Sequence, residues 1–194
     1  MPTTTKRLFL LMVASAIFGC TTTDTPSPSS TEQIAASAAS AAGNVRISGL
    51  SNFRQTAEVL TAFCSSVKFE TDRRVVAQAA IDKALEGYGS AMPGGLSVDI
   101  QSLSIRMRCH VAGPSGFESY CAADTRLTIA ASGRDRSGQE IRVAASKGVT
   151  ERQGAVMLCP SGMPAVTSAV DKVLTEALVD LQSGLSARTG VPAR

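Results

Sequence analysis

The chain has 194 residues, with 19 basic and 16 acidic side chains and a formal charge of +3 at pH 7. A charge this close to neutral argues against nonspecific binding to nucleic acid. Aromatic residues make up only 4% of the chain, which argues against stacking platforms for sugars or bases. We therefore expect no nucleic-acid partner.

The first residues have the pattern of a secretory signal. Lys6 and Arg7 precede an apolar run of eleven residues, Leu8–Phe18. A helix that spans a bilayer needs about 20 apolar residues, so this run is too short to be a stable anchor. A basic start, a short apolar segment and small residues at the cut are typical of a signal peptide.

Two cleavage sites compete in this segment. Ala14-Ser15-Ala16 fits ordinary signal peptidase, but its use would leave an apolar segment of only Leu8–Val13, below the usual length of about 7–15 residues. Ile17-Phe18-Gly19-Cys20 resembles the lipobox of bacterial lipoproteins instead. The resemblance implies that residues 1–19 are removed and that Cys20, alkylated with diacylglycerol, becomes the first residue of the mature chain.

The resemblance also implies a location. The residue directly after the cysteine is Thr21 and not an aspartate. In Gram-negative lipoproteins, the absence of aspartate at this position implies sorting to the outer membrane, facing the periplasm. The alternative is a soluble chain that is secreted or periplasmic. Residues 20–43 have almost no large apolar side chains, so we interpret them as the lipidated cysteine and a flexible tether. Loss of residues 1–19 would leave 17 basic and 16 acidic residues, a charge of +1.

Residues 44–187 form a single predicted domain, and residues 188–194 a tail. Asn44–Ser48 can form an edge strand, and a helix is predicted from Ser51-Asn52, although Val67–Glu70 could equally be a short strand. A second helix is predicted over about Asp72–Glu86, ending at Gly87 and Gly89. The last helix is predicted over about Pro164–Ser183, with Gly184 following its apolar stripe.

The segment from Leu96 to Val149 alternates with period two, which predicts half-buried strands. The apolar parity switches at Gln101-Ser102, as a β-bulge would produce. Turn formers at 112–119 and 132–139 separate three strands, which form an antiparallel meander. We therefore predict an α+β fold: a two-layer sandwich of an antiparallel meander of three to four strands, with helices packed on one face.

Four cysteines remain after Cys20, and an oxidising compartment favours two disulfides. Folding the first hairpin about Ser115 places Cys109 opposite Cys121, at the separation that a disulfide requires. By elimination, Cys64 pairs with Cys159. A zinc site would normally show closely spaced cysteine pairs, and the sequence has none, so we expect no metal and no cofactor.

The even-numbered side chains of the meander form the candidate site, which we call the even face. They comprise Arg106, Arg108, His110, Tyr120, Asp124, Arg126 and Arg142. The same hairpin register places Arg106 opposite Asp124 and His110 opposite Tyr120. The face is either a solvated surface with one cross-strand ion pair or an anion-recognition surface, because arginine forks bind phosphates and carboxylates.

A catalytic role has little support in the sequence. His110 is the only histidine, so a Ser-His-Asp or Cys-His arrangement would require it. Ser115 and Ser119 are near it in sequence, but G-x-S-x-G, H-E-x-x-H, P-loop and Rossmann glycine patterns do not occur. We predict that the protein is not an enzyme and assign no catalytic residue.

In outline, the chain is similar to small anchored α+β lipoproteins that act as accessory subunits in envelope transport or outer-membrane assembly. This resemblance implies a membrane-anchored binding module whose partner is an envelope protein or a lipid. The alternative is a structural or surface-exposed lipoprotein without a dedicated ligand, and a third hypothesis is a hydrolase that uses His110. Arg106, Arg108, Arg126, Arg142 and His110 are the candidate partner surface.

Overall fold

The computed structural model of the protein describes residues 20–24, 44–59, 67–110, 120–154 and 163–192. The strands are β1 (Cys20–Asp24), β2 (Val45–Ser48), β3 (Arg54–Val59), β4 (Val67–Asp72), β5 (Leu96–His110), β6 (Tyr120–Arg134) and β7 (Glu140–Gly154). The α-helices are α1 (Arg74–Ala91) and α2 (Met163–Thr189), and a 3₁₀ helix covers Leu50–Phe53.

The main sheet has four strands in the order β2-β5-β6-β7. Strands β5, β6 and β7 form the predicted antiparallel meander. The predicted edge strand, β2, is also present and pairs with β5 in parallel, so the sheet is mixed. Both α-helices pack on one face of it, which confirms the predicted α+β fold.

The hairpin of β5 and β6 confirms the predicted register. The pairing shifts between Ile100 and Ser102, at the position of the predicted bulge. Cys109 lies opposite Cys121, and their sulfur atoms are 2.01 Å apart, at bonding distance. Cys64 and Cys159 are outside the described residues, and so is the second predicted bridge.

The helix predicted from Ser51-Asn52 is wrong. The 3₁₀ helix covers four residues there, and β3 then pairs antiparallel with β4. The sequence of β3 explains why a strand forms here. Its polar residues Arg54, Thr56 and Glu58 occupy every second position, which is the period of a strand. The alternative for Val67–Glu70 is confirmed, because these residues begin β4. Strand β1 pairs with β4 in parallel and completes a three-stranded sheet in the order β1-β4-β3.

Both predicted helices exist, but both extend beyond their predicted ends. Helix α1 runs through Gly87 and Gly89, and α2 runs through Gly184 to Thr189, into the segment predicted as a tail. At Gly89 and Gly184, the missing side chain permits close packing instead of ending the helix. A β-carbon at 89 would lie 2.9 Å from Val45 Cγ2, and one at 184 would lie 2.5 Å from Val143 Cγ1.

The core lies between the two helices and the sheet face opposite the even face. Its fully buried side chains include Ile81, Leu85, Val98, Leu127, Ile129, Val166, Leu181 and Leu185. Polar contacts join the helices at its edge. Tyr88 Oη is 2.6 Å from Ser186 Oγ, and Arg73 Nη2 donates to Asp171 Oδ2 at 2.6 Å. The two helices are therefore fixed to each other as well as to the sheet.

The segment predicted as a tether is described only at its start. Its first five residues form β1, and residues 25–43 lie outside the described part of the chain. Among the helices that the structure describes, none is long and apolar enough to cross a membrane.

Candidate functional site

The even face carries its arginines away from the helices. The odd-numbered residues of β6 from Cys121 to Ala131 are buried toward the core. Strand alternation then directs the even-numbered side chains to the other side of the sheet. Arg106, Arg108, Arg126 and Arg142 are all exposed there, in agreement with the predicted orientation.

Asp124 is the carboxylate at the centre of these arginines. It lies opposite Arg106 in the predicted register, but its carboxylate pairs with Arg108, the diagonal neighbour on β5. Thr150 on β7 donates its hydroxyl proton to Asp124 Oδ1 at 2.7 Å. The Thr150 hydrogen bond, followed by the Arg108 guanidinium, holds the pKa of Asp124 below its usual value. Asp124 is therefore an ionised group with both oxygens engaged.

A depression of about 910 Å³ opens on the even face around Asp124. Its even-numbered lining comprises Ser104, Arg106, Arg108, Asp124, Arg126, Gly148 and Thr150, and we call it the arginine depression. Three guanidinium groups and one carboxylate give this lining a formal charge of +2. The even face is thus concave and basic at this end of the sheet.

Arg152 extends the basic region and was missed in the sequence. It is exposed on β7, where it pairs with Ala122 of β6, and Ala122 in turn lies opposite Arg108. Its Cζ atom lies 5.5 Å from the centre of the Tyr120 ring, within the range of a cation–π contact. The sequence carries the signal, because Thr150 and Arg152 continue the even-numbered positions of this strand beyond Val149.

Arg142 belongs to the even face but not to the arginine depression. It lies opposite Ser132, six residues along β6 from Arg126. At about 3.3 Å per residue this places the two positions about 20 Å apart along the strand. The candidate surface therefore divides: Arg106, Arg108 and Arg126 lie together, and Arg142 is remote.

His110 is the last residue of β5 and lies opposite Tyr120, as the register predicts. Its side chain is outside the described part of the structure, as are Ser115 and Ser119. Within the described ranges, no three His, Cys, Asp or Glu side chains are grouped so that they could hold a metal ion.

Neither a scan against protein-family models nor a search of curated proteins found a match to this chain.

Proposed function

We propose that the protein is a non-catalytic accessory or binding module of the cell envelope. Lipid on Cys20 holds it at the outer membrane, on the periplasmic side, and the arginine depression engages an anionic group of an envelope protein or lipid. The observation that carries this proposal is the concentration of Arg106, Arg108 and Arg126 around one concave site. Arginine is the side chain best suited to bind phosphate and carboxylate through paired hydrogen bonds.

The state of Asp124 supports binding over catalysis. A general base must accept a proton near the working pH. Asp124 is a weak base because its pKa is lowered, and its two oxygens already accept from Thr150 and Arg108. The arginines around it are suited to holding an anion in place, since a guanidinium stays protonated in proteins.

The lipobox-like sequence supports the anchored location. Strand β1 begins at Cys20 and pairs with β4. A lipid on Cys20 would therefore hold the three-stranded sheet close to the bilayer surface.

Affinity purification of the protein from mildly solubilised envelopes tests the proposal. The variant Arg106→Glu/Arg126→Glu reverses two charges in the arginine depression. Arg142→Glu is the matched control, because it reverses a charge on the same face about 20 Å away. Bound proteins and lipids are identified by mass spectrometry for each variant and for Cys20→Ser.

We expect a stoichiometric partner with the wild type and with Arg142→Glu, and its loss with Arg106→Glu/Arg126→Glu. Cys20→Ser should release the protein from the membrane fraction. A preparation without any partner, or a partner that both charge-reversal variants retain equally, would contradict the proposal and favour a structural lipoprotein without a dedicated ligand.

A further inference from the structure

Arg106 and Arg126 start from neighbouring strands of the arginine depression. A β-carbon placed on Gly148 would lie 3.5 Å from Arg126 Cγ and 4.0 Å from Arg126 Nε. The Arg126 side chain therefore lies beside β7, whereas Arg106 starts from β5, two strands away. Arg126 itself belongs to β6, where it is the diagonal neighbour of Arg106, so its side chain extends away from the strand that carries Arg106.

These two arginines are also available for a ligand. Among the described residues, neither Arg106 nor Arg126 has a carboxylate within ion-pair distance, whereas Arg108 is paired with Asp124. The Arg108 pair and the Thr150 hydrogen bond satisfy both Asp124 oxygens. An approaching anion consequently meets two guanidinium groups that form no ion pair among the described residues, although the charge of Arg126 helps to lower the pKa of Asp124.

This separation favours an anion with more than one charged group. A carboxylate has two oxygens in one plane and matches one arginine fork. A phosphate ester has three acceptor oxygens in different directions, so it can accept from one arginine and from a hydroxyl such as Ser104 at the same time. Two linked phosphates could engage Arg106 and Arg126 together.

Gly148 leaves room for such a ligand. It is exposed in the middle of a 15-residue strand, where glycine is unfavourable unless something approaches the backbone closely. No backbone contact requires it, because an added β-carbon would meet its nearest neighbour at an ordinary van der Waals distance. The missing side chain instead keeps the floor of the arginine depression open between Arg126 and Thr150.

We infer that the arginine depression binds a ligand with two or more linked phosphate groups, one held by Arg106 and another by Arg126 over Gly148. This inference rests on the proposed function and specifies its ligand. A soluble polyphosphate and a phosphorylated lipid headgroup share this chemistry.

Calorimetric titration of the purified, oxidised protein at low ionic strength tests the inference. The probes are tripolyphosphate, inorganic phosphate and citrate, a tricarboxylate of comparable charge. Gly148→Val fills the opening without changing the charge and suits a strand. Ala144→Val is the matched control, since Ala144 is an exposed even-numbered residue of the same strand outside the arginine depression.

We expect tripolyphosphate to bind at least about tenfold more tightly than phosphate or citrate, as one additional charged hydrogen-bonded contact would give. Gly148→Val and Arg126→Gln should each weaken tripolyphosphate binding about tenfold or more, and Ala144→Val should not change it. Phosphatidylcholine vesicles containing diacylglycerol pyrophosphate distinguish the sources. Tighter binding to these vesicles indicates a headgroup, and tighter binding to free tripolyphosphate indicates a soluble ligand.

Equal affinities for tripolyphosphate, phosphate and citrate would overturn the inference, as would wild-type affinity in Gly148→Val. The proposed function fails separately. If the envelope partner still depends on Arg106 and Arg126 while no polyphosphate binds, only the ligand assignment is wrong. If neither a partner nor any anion is retained, both are wrong.

Discussion

Asp124 fixes two side chains of the arginine depression, because it pairs with Arg108 and accepts a hydrogen bond from Thr150. Its side chain is 28% exposed, and the Arg108 side chain that pairs with it is 78% exposed. An ion pair this accessible to solvent contributes at most about 1 kcal/mol to stability. Its more important effect is on the position of Arg108. The ion pair holds the Arg108 guanidinium at Asp124 on β6, so that Arg106 and Arg126 are left to bind a ligand.

The lowered pKa of Asp124 predicts a pH-dependent contribution to stability. A carboxyl group whose pKa is lower in the folded state stabilises the fold above its unfolded pKa, and this contribution is lost as the pH falls through the folded value. The ordinary value is 3.8, so the loss occurs below about pH 4. We expect Asp124→Asn to unfold more easily than the wild type at pH 7, by less than about 1 kcal/mol.

Urea unfolding at several pH values measures this difference. The two free energies of unfolding should converge as the pH falls toward 2, because protonated Asp124 no longer differs in charge from asparagine. The acid sensitivity that remains in Asp124→Asn belongs to other carboxyl groups with a lowered pKa, such as Asp72 and Asp135. Curves that stay parallel across this range would show that Asp124 makes no such contribution.

At the scale of elements, Gly184 allows α2 to approach β7. Alanine favours a helix over glycine by about 1 kcal/mol. In Gly184→Ala, however, the new β-carbon would lie 2.5 Å from Val143 Cγ1, too close for any real contact. We expect a net destabilisation of about 1–2 kcal/mol from this overpacking, measured by urea unfolding with circular dichroism.

Two variants control this prediction. Gly87→Ala introduces the same change in α1 at a position with no atom within 4 Å of the new β-carbon, and it should stabilise the protein by up to about 1 kcal/mol. In a Val143→Ala background, which removes the obstructing methyl groups, Gly184→Ala should become stabilising. Destabilisation of equal size in both backgrounds would show that Val143 is not the cause.

The elements also show what could be predicted from the sequence. The meander was predictable because alternation assigns each side chain to a face and Cys109 opposite Cys121 fixes the register. The ends of the helices were not, since a glycine that ends a helix and one that permits close packing look alike until the neighbour is known. At Gly184 that neighbour is Val143, 41 positions away in sequence.

The candidate site was also predictable only in part, because the sequence indicates the face of the sheet but not the grouping of the arginines on it. Period-two alternation identified the face of Arg106, Arg108 and Arg126, but a face extends along the whole strand. Alternation alone therefore could not separate Arg142 from the other three. Arg152 lies beyond Val149, where the predicted alternation ends, whereas β7 continues to Gly154.

At the scale of the whole molecule, charge is distributed unequally between the two faces of the main sheet. On the helix side, charged residues of β7 pair with α2: Lys147 with Asp180 at 2.9 Å, and Glu151 with Lys172 at 2.8 Å. On the even face, three arginines surround the single carboxylate of the arginine depression. The packed face fixes the sheet, and the open face presents basic groups on a rigid support.

Anion binding in the arginine depression can be observed residue by residue, by ¹H–¹⁵N NMR of the labelled protein during titration with tripolyphosphate. Anion binding there predicts saturable shifts at the backbone amides of Ser104, Gly148 and Thr150 and at the Arg126 guanidinium, with the Arg142 signals unchanged. The absence of saturable shifts at these positions, or larger shifts around Arg142, would contradict it.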